Sequence, residues 1–114
     1  MSENLERCLK LAGEAGLAGI SGGEVHGAPA MLVNGEPTLI DHDGRLIRMK
    51  CSFEGCQVLL QTGGGAYSQD KEARASREVL ADISRITDEE LRIHIIQAWK
   101  LNATQEQRNA QGSS

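Results

Sequence analysis

Aromatic side chains are nearly missing from this 114-residue chain: Trp99, Tyr67 and Phe53 make up 3% of it. That excludes an aromatic-rich core, so the interior has to be built from Leu, Ile, Val, Met and Ala. Cysteine is scarce and odd in number, at three. A fully paired disulfide framework is thereby excluded, and a reducing, cytoplasmic location is the expectation. No apolar run approaches the roughly 18 residues a membrane-spanning helix needs. The N-terminal residues show no basic start followed by an apolar stretch, so no signal peptide is expected. Basic excess is also lacking. Twelve basic residues face sixteen acidic ones, for a net charge of −4. No segment carries the positive balance that phosphate backbones demand, which makes a nucleic-acid partner unlikely. Arg45, Arg48 and Lys50 form a small basic patch, read as a solvated strand face.

What is present is glycine, at 13 residues, and well-separated apolar stripes. Residues 3–15 read as a helix, with Ser2 as N-cap, Gly16 as its stop and Leu5, Cys8, Leu9 and Ala12 along one side. A glycine-rich loop over 16–27 follows. Residues 29–62 read as a four-stranded antiparallel meander. Its turns are Asn34-Gly35, His42-Asp43-Gly44 and Ser52-Phe53-Glu54-Gly55. This register sets Leu32 opposite Pro37, Leu39 opposite Ile47 and Cys51 opposite Cys56. One face then collects Ala30, Leu32, Leu39, Ile47, Met49, Val58 and Leu60. The other carries Met31, Val33, Ile40, Leu46 and Leu59 among polar residues.

Residues 69–86 read as a second helix with a Val79, Leu80, Ile83 and Ile86 stripe. Thr87 and Glu90 form a capping box for a third helix over 88–102. Leu91, Ile95, Ala98 and Trp99 are its main stripe, widened by Ile93 and Ile96. Residues 103–114 read as a polar, disordered tail. The expectation is a single α+β domain over 1–102: one helix, a four-stranded meander, and two C-terminal helices on one sheet face.

Chemistry is sparse. Cys51 and Cys56 are candidate metal ligands, but a C-x4-C pair with no second pair is weak zinc spacing. The same pair can form a disulfide if the two residues are opposite each other. His42 sits between Asp41 and Asp43 in a turn whose composition turn geometry already explains. His94 lies on the edge of a helix stripe, where a core-edge histidine is the simpler reading. Thr62-Gly63-Gly64-Gly65 occupies a strand-to-helix position suited to anions, but its spacing fits no phosphate loop, and a plain connection is preferred. No cofactor follows from any of this. The functional expectation is a small, acidic, non-catalytic protein-binding or regulatory protein with an inhibitor, immunity or chaperone-like profile. It is expected to be a homodimer through the third helix or the second sheet face. Candidate contacts are Met31, Val33, Ile40, Leu46, Leu59, Ile93, Ile96 and Trp99. The alternative is a metal- or thiol-dependent module around Cys51 and Cys56.

Overall fold

The computed structural model describes residues 3–41, 46–62 and 65–112. Ser2, the His42-Asp43-Gly44 turn, Arg45 and Gly63-Gly64 lie outside them. The elements are α1 (Glu3–Glu14), β1 (Ile20–Val25), β2 (Ala28–Val33), β3 (Glu36–Asp41), β4 (Ile47–Lys50), α2 (Phe53–Thr62), β5 (Tyr67–Ser68), α3 (Lys71–Ala75), β6 (Glu78–Ala81), α4 (Asp88–Asn102) and α5 (Gln105–Gly112). The class is α+β, as composition and patterning indicate. Among the described residues the sheet is six-stranded and antiparallel, in the order β1-β2-β3-β4-β6-β5.

Two X-Gly turns set the first three strands. His26 and Gly27 have φ of 50° and 82°, and Asn34 and Gly35 have 53° and 82°. Both central residues at positive φ make a primed turn, whose twist suits a two-residue hairpin. The Asn34-Gly35 turn was legible in the sequence; the His26-Gly27 turn and β1 were not.

Between β2 and β3 the register departs from expectation at one residue. Leu32 does pair with Pro37, but Met31 pairs with Leu39, so Thr38 is an extra residue in β3. Proline cannot continue the ladder and is at home beside such a bulge. Thr38 is buried, and its hydroxyl accepts from Asn102 Nδ2 at 2.9 Å. The bulge moves every β2 residue to the opposite face. Met31 and Val33, not Ala30 and Leu32, join Leu39, Ile47 and Met49 in the core. Separately, β4 is shifted by two residues against β3, so Leu39 pairs with Met49 instead of Ile47, and the faces are kept.

Two larger corrections follow. The segment expected as the fourth meander strand is the helix α2. Ser52 Oγ accepts from the Gly55 N–H at 3.0 Å, and Ser52 O accepts from the Cys56 N–H at 2.9 Å. The expected turn is therefore an N-cap and first helical turn. Val58 and Leu60 accordingly leave the expected sheet face and stand exposed on α2.

The place beside β4 goes to β6, drawn from the segment expected as the second helix. That segment breaks at Arg77, which has φ of 55°. Before it lies α3, capped by Asp70 accepting from the Ala73 N–H at 2.6 Å. After it, Val79 and Ala81 pair with Met49 and Ile47. Val79, Leu80, Ile83 and Ile86 are all buried as their stripe implied, but in a strand and a 3₁₀ turn.

The core layer is α1 and α4 against the sheet. Arg7 joins them: it donates to Asp88 Oδ1 at 2.7 Å, Ile83 O at 2.6 Å and Ile86 O at 2.8 Å. Thr87 caps α4 as expected, accepting from the Glu90 N–H at 3.2 Å. The C-terminal segment expected to be a disordered tail forms α5, held by polar contacts instead of an apolar stripe. Arg108 donates to the Lys100 and Ala103 carbonyls at 2.9 and 2.7 Å, and Gln107 bonds Asn34.

Candidate functional site: an apolar groove between α2 and α4

The α2 helix begins with a covalent version of a common device. Ser52 is its N-cap, so Cys51 is the residue before the cap and Cys56 the fourth residue of the helix. These are the positions that a hydrophobic staple joins. Here they are joined by a disulfide, with the Cα atoms 5.6 Å apart. Sequence spacing allowed the bond only as a cross-strand pair in a hairpin, with the cysteines expected to stay reduced, so the disulfide departs from that reading. Bonded to each other, the two sulfurs are not thiolate ligands. Among the described residues, no group of three or more His, Cys, Asp or Glu side chains is arranged to hold a metal ion.

Positions 55, 58 and 59 fall at i, i+3 and i+4 on the side of α2 that lines the groove, and Cys51, just before the helix, lines it too. On α4, Ile93, Gln97 and Leu101 repeat at i, i+4 and i+8, with His94 beside them. Between these rows runs a groove of about 380 Å³, floored by Met49 and Leu59 and lined by Cys51, Val58, Ile93, His94 and Leu101. That volume is within the usual range of ligand sites. Val58, Ile93 and Leu101 are 56%, 53% and 46% exposed. They are three of the four large hydrophobic residues that stand exposed among the described residues, Leu60 being the fourth.

His94 forms the inner wall. Its ring meets the Tyr67 ring edge-on, with centroids 5.4 Å apart. Its Nε2 is 3.8 Å from Glu90 Oε1, too far for a hydrogen bond. Burial pulls the imidazole below its ordinary value, and the Glu90 carboxylate opposes that pull. Burial also pushes the Tyr67 hydroxyl up to about 12, helped by Glu90. The Cys8 thiol, fully buried in the core, is likewise pushed up to about 12 by burial. It is packing, not a nucleophile.

The sequence-derived contact residues scatter. Met31, Val33 and Trp99 are fully buried in the core. Ile40, Leu46 and Ile96 are partly buried, Ile96 packing against the core. Leu59 and Ile93 reach the groove. Val58 and Leu101 were missed. Val58 was assigned to a sheet face, and Leu101 lies off the main stripe of α4, although its i, i+4, i+8 relation to Ile93 was a usable signal. The basic patch dissolves as well. Arg48 is buried on the far sheet face, 3.4 Å from Glu78, 3.6 Å from Asp70 and 4.0 Å from Glu72.

Fold and site together define a small α+β protein with an open interhelical groove beside a disulfide. Comparison with protein-family models, with curated proteins and with solved structures finds no match to this chain.

Proposed function

We propose that this protein is a small, acidic, non-catalytic binding protein of regulatory or inhibitor type, which docks a protein partner in the α2/α4 groove. The observation that supports this reading best is the convergence of Val58, Ile93 and Leu101 on one groove. Clustered apolar exposure with a polar rim, here Gln97 and Lys100, is characteristic of interaction surfaces. A groove between two helices suits an amphipathic helix, whose anchors recur at i, i+3, i+4 and i+7. A second copy of the chain presents the exposed Ile93 and Leu101 of its own α4, whose mutual burial would give a homodimer.

No helix among the described residues is long and apolar enough to cross a membrane. The Cys51–Cys56 disulfide counts against the cytoplasmic setting expected from the cysteine count, since protein disulfides persist chiefly in oxidising compartments; in the cytoplasm it would be a transient, reversible bond.

Light scattering at about 50 μM tests the homodimer, since dimer mass depends on protomer concentration. The expected mass is twice that of the 12.3 kDa chain. Ile93→Asp, with an unchanged circular dichroism spectrum, should run as a monomer. A monomeric native protein overturns the homodimer. A partner bound equally well by the native chain and by Ile93→Asp overturns the groove as the docking site.

A further inference from the structure

The Cys51–Cys56 bond stands between two unlike cavities. On one side, Cys51 is partly exposed and lines the α2/α4 groove. On the other, Cys56 is 4% exposed and lines a cavity of about 110 Å³ with Gln57, Gln69, Arg74 and Arg77. The two sulfurs therefore differ in both access and electrostatics. An incoming thiolate reaches Cys51 from the groove. A negative charge left on Cys56 would face a cavity that Arg74 and Arg77 also line, in the first turn of α2, at the positive end of the helix dipole.

Those are the conditions that favour thiol–disulfide exchange: an accessible sulfur to attack and a stabilised thiolate to leave. We propose that Cys51–Cys56 is a reversible redox site that exchanges with thiols of the glutathione class, Cys51 being attacked and Cys56 leaving. The thiolate RS⁻ attacks Cys51 Sγ, a new S–S bond forms to Cys51, and the old bond's electron pair goes to Cys56. A second RS⁻ attacks the R sulfur of that adduct, releasing Cys51 as thiolate and RSSR. Two thiols are oxidised, the protein disulfide gains two electrons, and both cysteines end as thiols after protonation.

The element controlled is α2. Among the α2 side chains that are described, Cys56 is the buried one, while Val58 and Leu60 are exposed. Together with Leu59, which packs partly against the core, the disulfide ties this wall of the groove to the end of β4. This inference does not depend on the proposed partner: it concerns the bond and the helix, and its readouts need no binding.

The test is to equilibrate the folded protein in buffers of reduced and oxidised glutathione, trap thiols with iodoacetamide and map them by mass spectrometry. Full, reversible reduction without denaturant is expected. In the Cys56→Ser variant, oxidised glutathione should form its adduct on Cys51, leaving buried Cys8 unmodified. Arg74→Gln with Arg77→Asn, the latter tolerating the positive φ, should slow reduction by about tenfold as the leaving thiolate loses its cations. Hydrogen exchange in α2 should rise by about tenfold or more on reduction, with α1 and α4 unchanged. A Cys51→Val/Cys56→Val variant, which keeps an apolar staple, should exchange faster than the oxidised protein in α2. A disulfide that resists excess dithiothreitol until the protein is unfolded overturns the proposal. So does an attack that falls on Cys56, a reduction rate indifferent to the two arginines, or an α2 equally protected in both redox states.

Discussion

Trp99 shows how a chain with few aromatics uses the one it can bury completely. Its side chain has no solvent exposure, and its Nε1–H donates to Ala18 O at 2.7 Å. The ring fills the space between α4 and the connection from α1 to β1, and the indole nitrogen satisfies a loop carbonyl. Trp99→Ala should cost about 3–5 kcal/mol in urea unfolding, from lost burial plus the cavity left behind. Trp99→Phe keeps most of the volume but orphans the Ala18 carbonyl, and should still cost about 1–3 kcal/mol. A loss under 1 kcal/mol for the alanine variant would mean the core collapses around the site.

Arg48 is the opposite case, a buried charge and not a buried ring. Removing Arg48 takes the cation from the buried Glu78 carboxylate, whereas removing Glu78 leaves Arg48 with the more exposed Asp70 and Glu72. Arg48→Ala should cost about 3–5 kcal/mol, whereas Arg48→Met with Glu78→Leu should recover most of that loss. The same urea experiment checks it, with a cycle in which the double variant is no better than the worse single variant as the contrary result. Trp99 could be read as core from its stripe. Arg48 could not be read as buried, because Asp70, Glu72 and Glu78 reach it only once β6 has paired with β4.

At the scale of elements, what was legible followed from local chemistry, and what was not followed from pairing between distant segments. The Asn34-Gly35 turn and the Thr87 cap are decided within a few residues and stand as read, as does most of the α1 stripe, in which Leu11 is buried and Leu9 only partly so. The segment over 56–62 is a short apolar run that serves a strand or a helix equally well. The choice was made by Ser52 capping the helix and by β6 taking the place beside β4. The groove depends on that choice, so half of it was invisible: the α4 row could be seen, but the α2 row was assigned to a sheet. In β3 a single extra residue, Thr38, exchanged the faces of β2. That turned Met31 and Val33 from expected contacts into core, because strand periodicity reverses on a one-residue shift.

The helix α5 was missed for a different reason. It has no apolar stripe and is held by side-chain donors to backbone acceptors. Arg108 covers carbonyls at the end of α4 that the helix itself leaves open. Arg108→Ala should therefore cost about 1–2 kcal/mol and raise hydrogen exchange in the last turn of α4. An unchanged midpoint with unchanged exchange would show that water replaces the guanidinium without loss.

For the molecule as a whole, the wall between core and groove holds an imidazole that burial keeps from its proton. His94 is partly buried against Tyr67, and burial lowers its pKa below the ordinary 6.5 despite the attraction of Glu90. The groups facing it are the Glu90 carboxylate one turn back on α4 and the Tyr67 hydroxyl on β5, which stays protonated at these pH values. The folded state thus prefers neutral imidazole, and the unfolded chain takes up a proton first as pH falls. Wherever the unfolded state binds more protons, stability rises with pH. The His94 contribution is complete above the unfolded value of about 6.5 and is lost as pH falls from there toward the lowered folded value. Native protein should therefore lose more stability between pH 7.5 and 5.5 than His94→Gln, which has nothing to protonate at that site. Thermal unfolding of the two proteins at both pH values measures the difference in slope. Equal slopes would show that Glu90 compensates the proton fully, leaving the α4 wall of the groove indifferent to pH across this range.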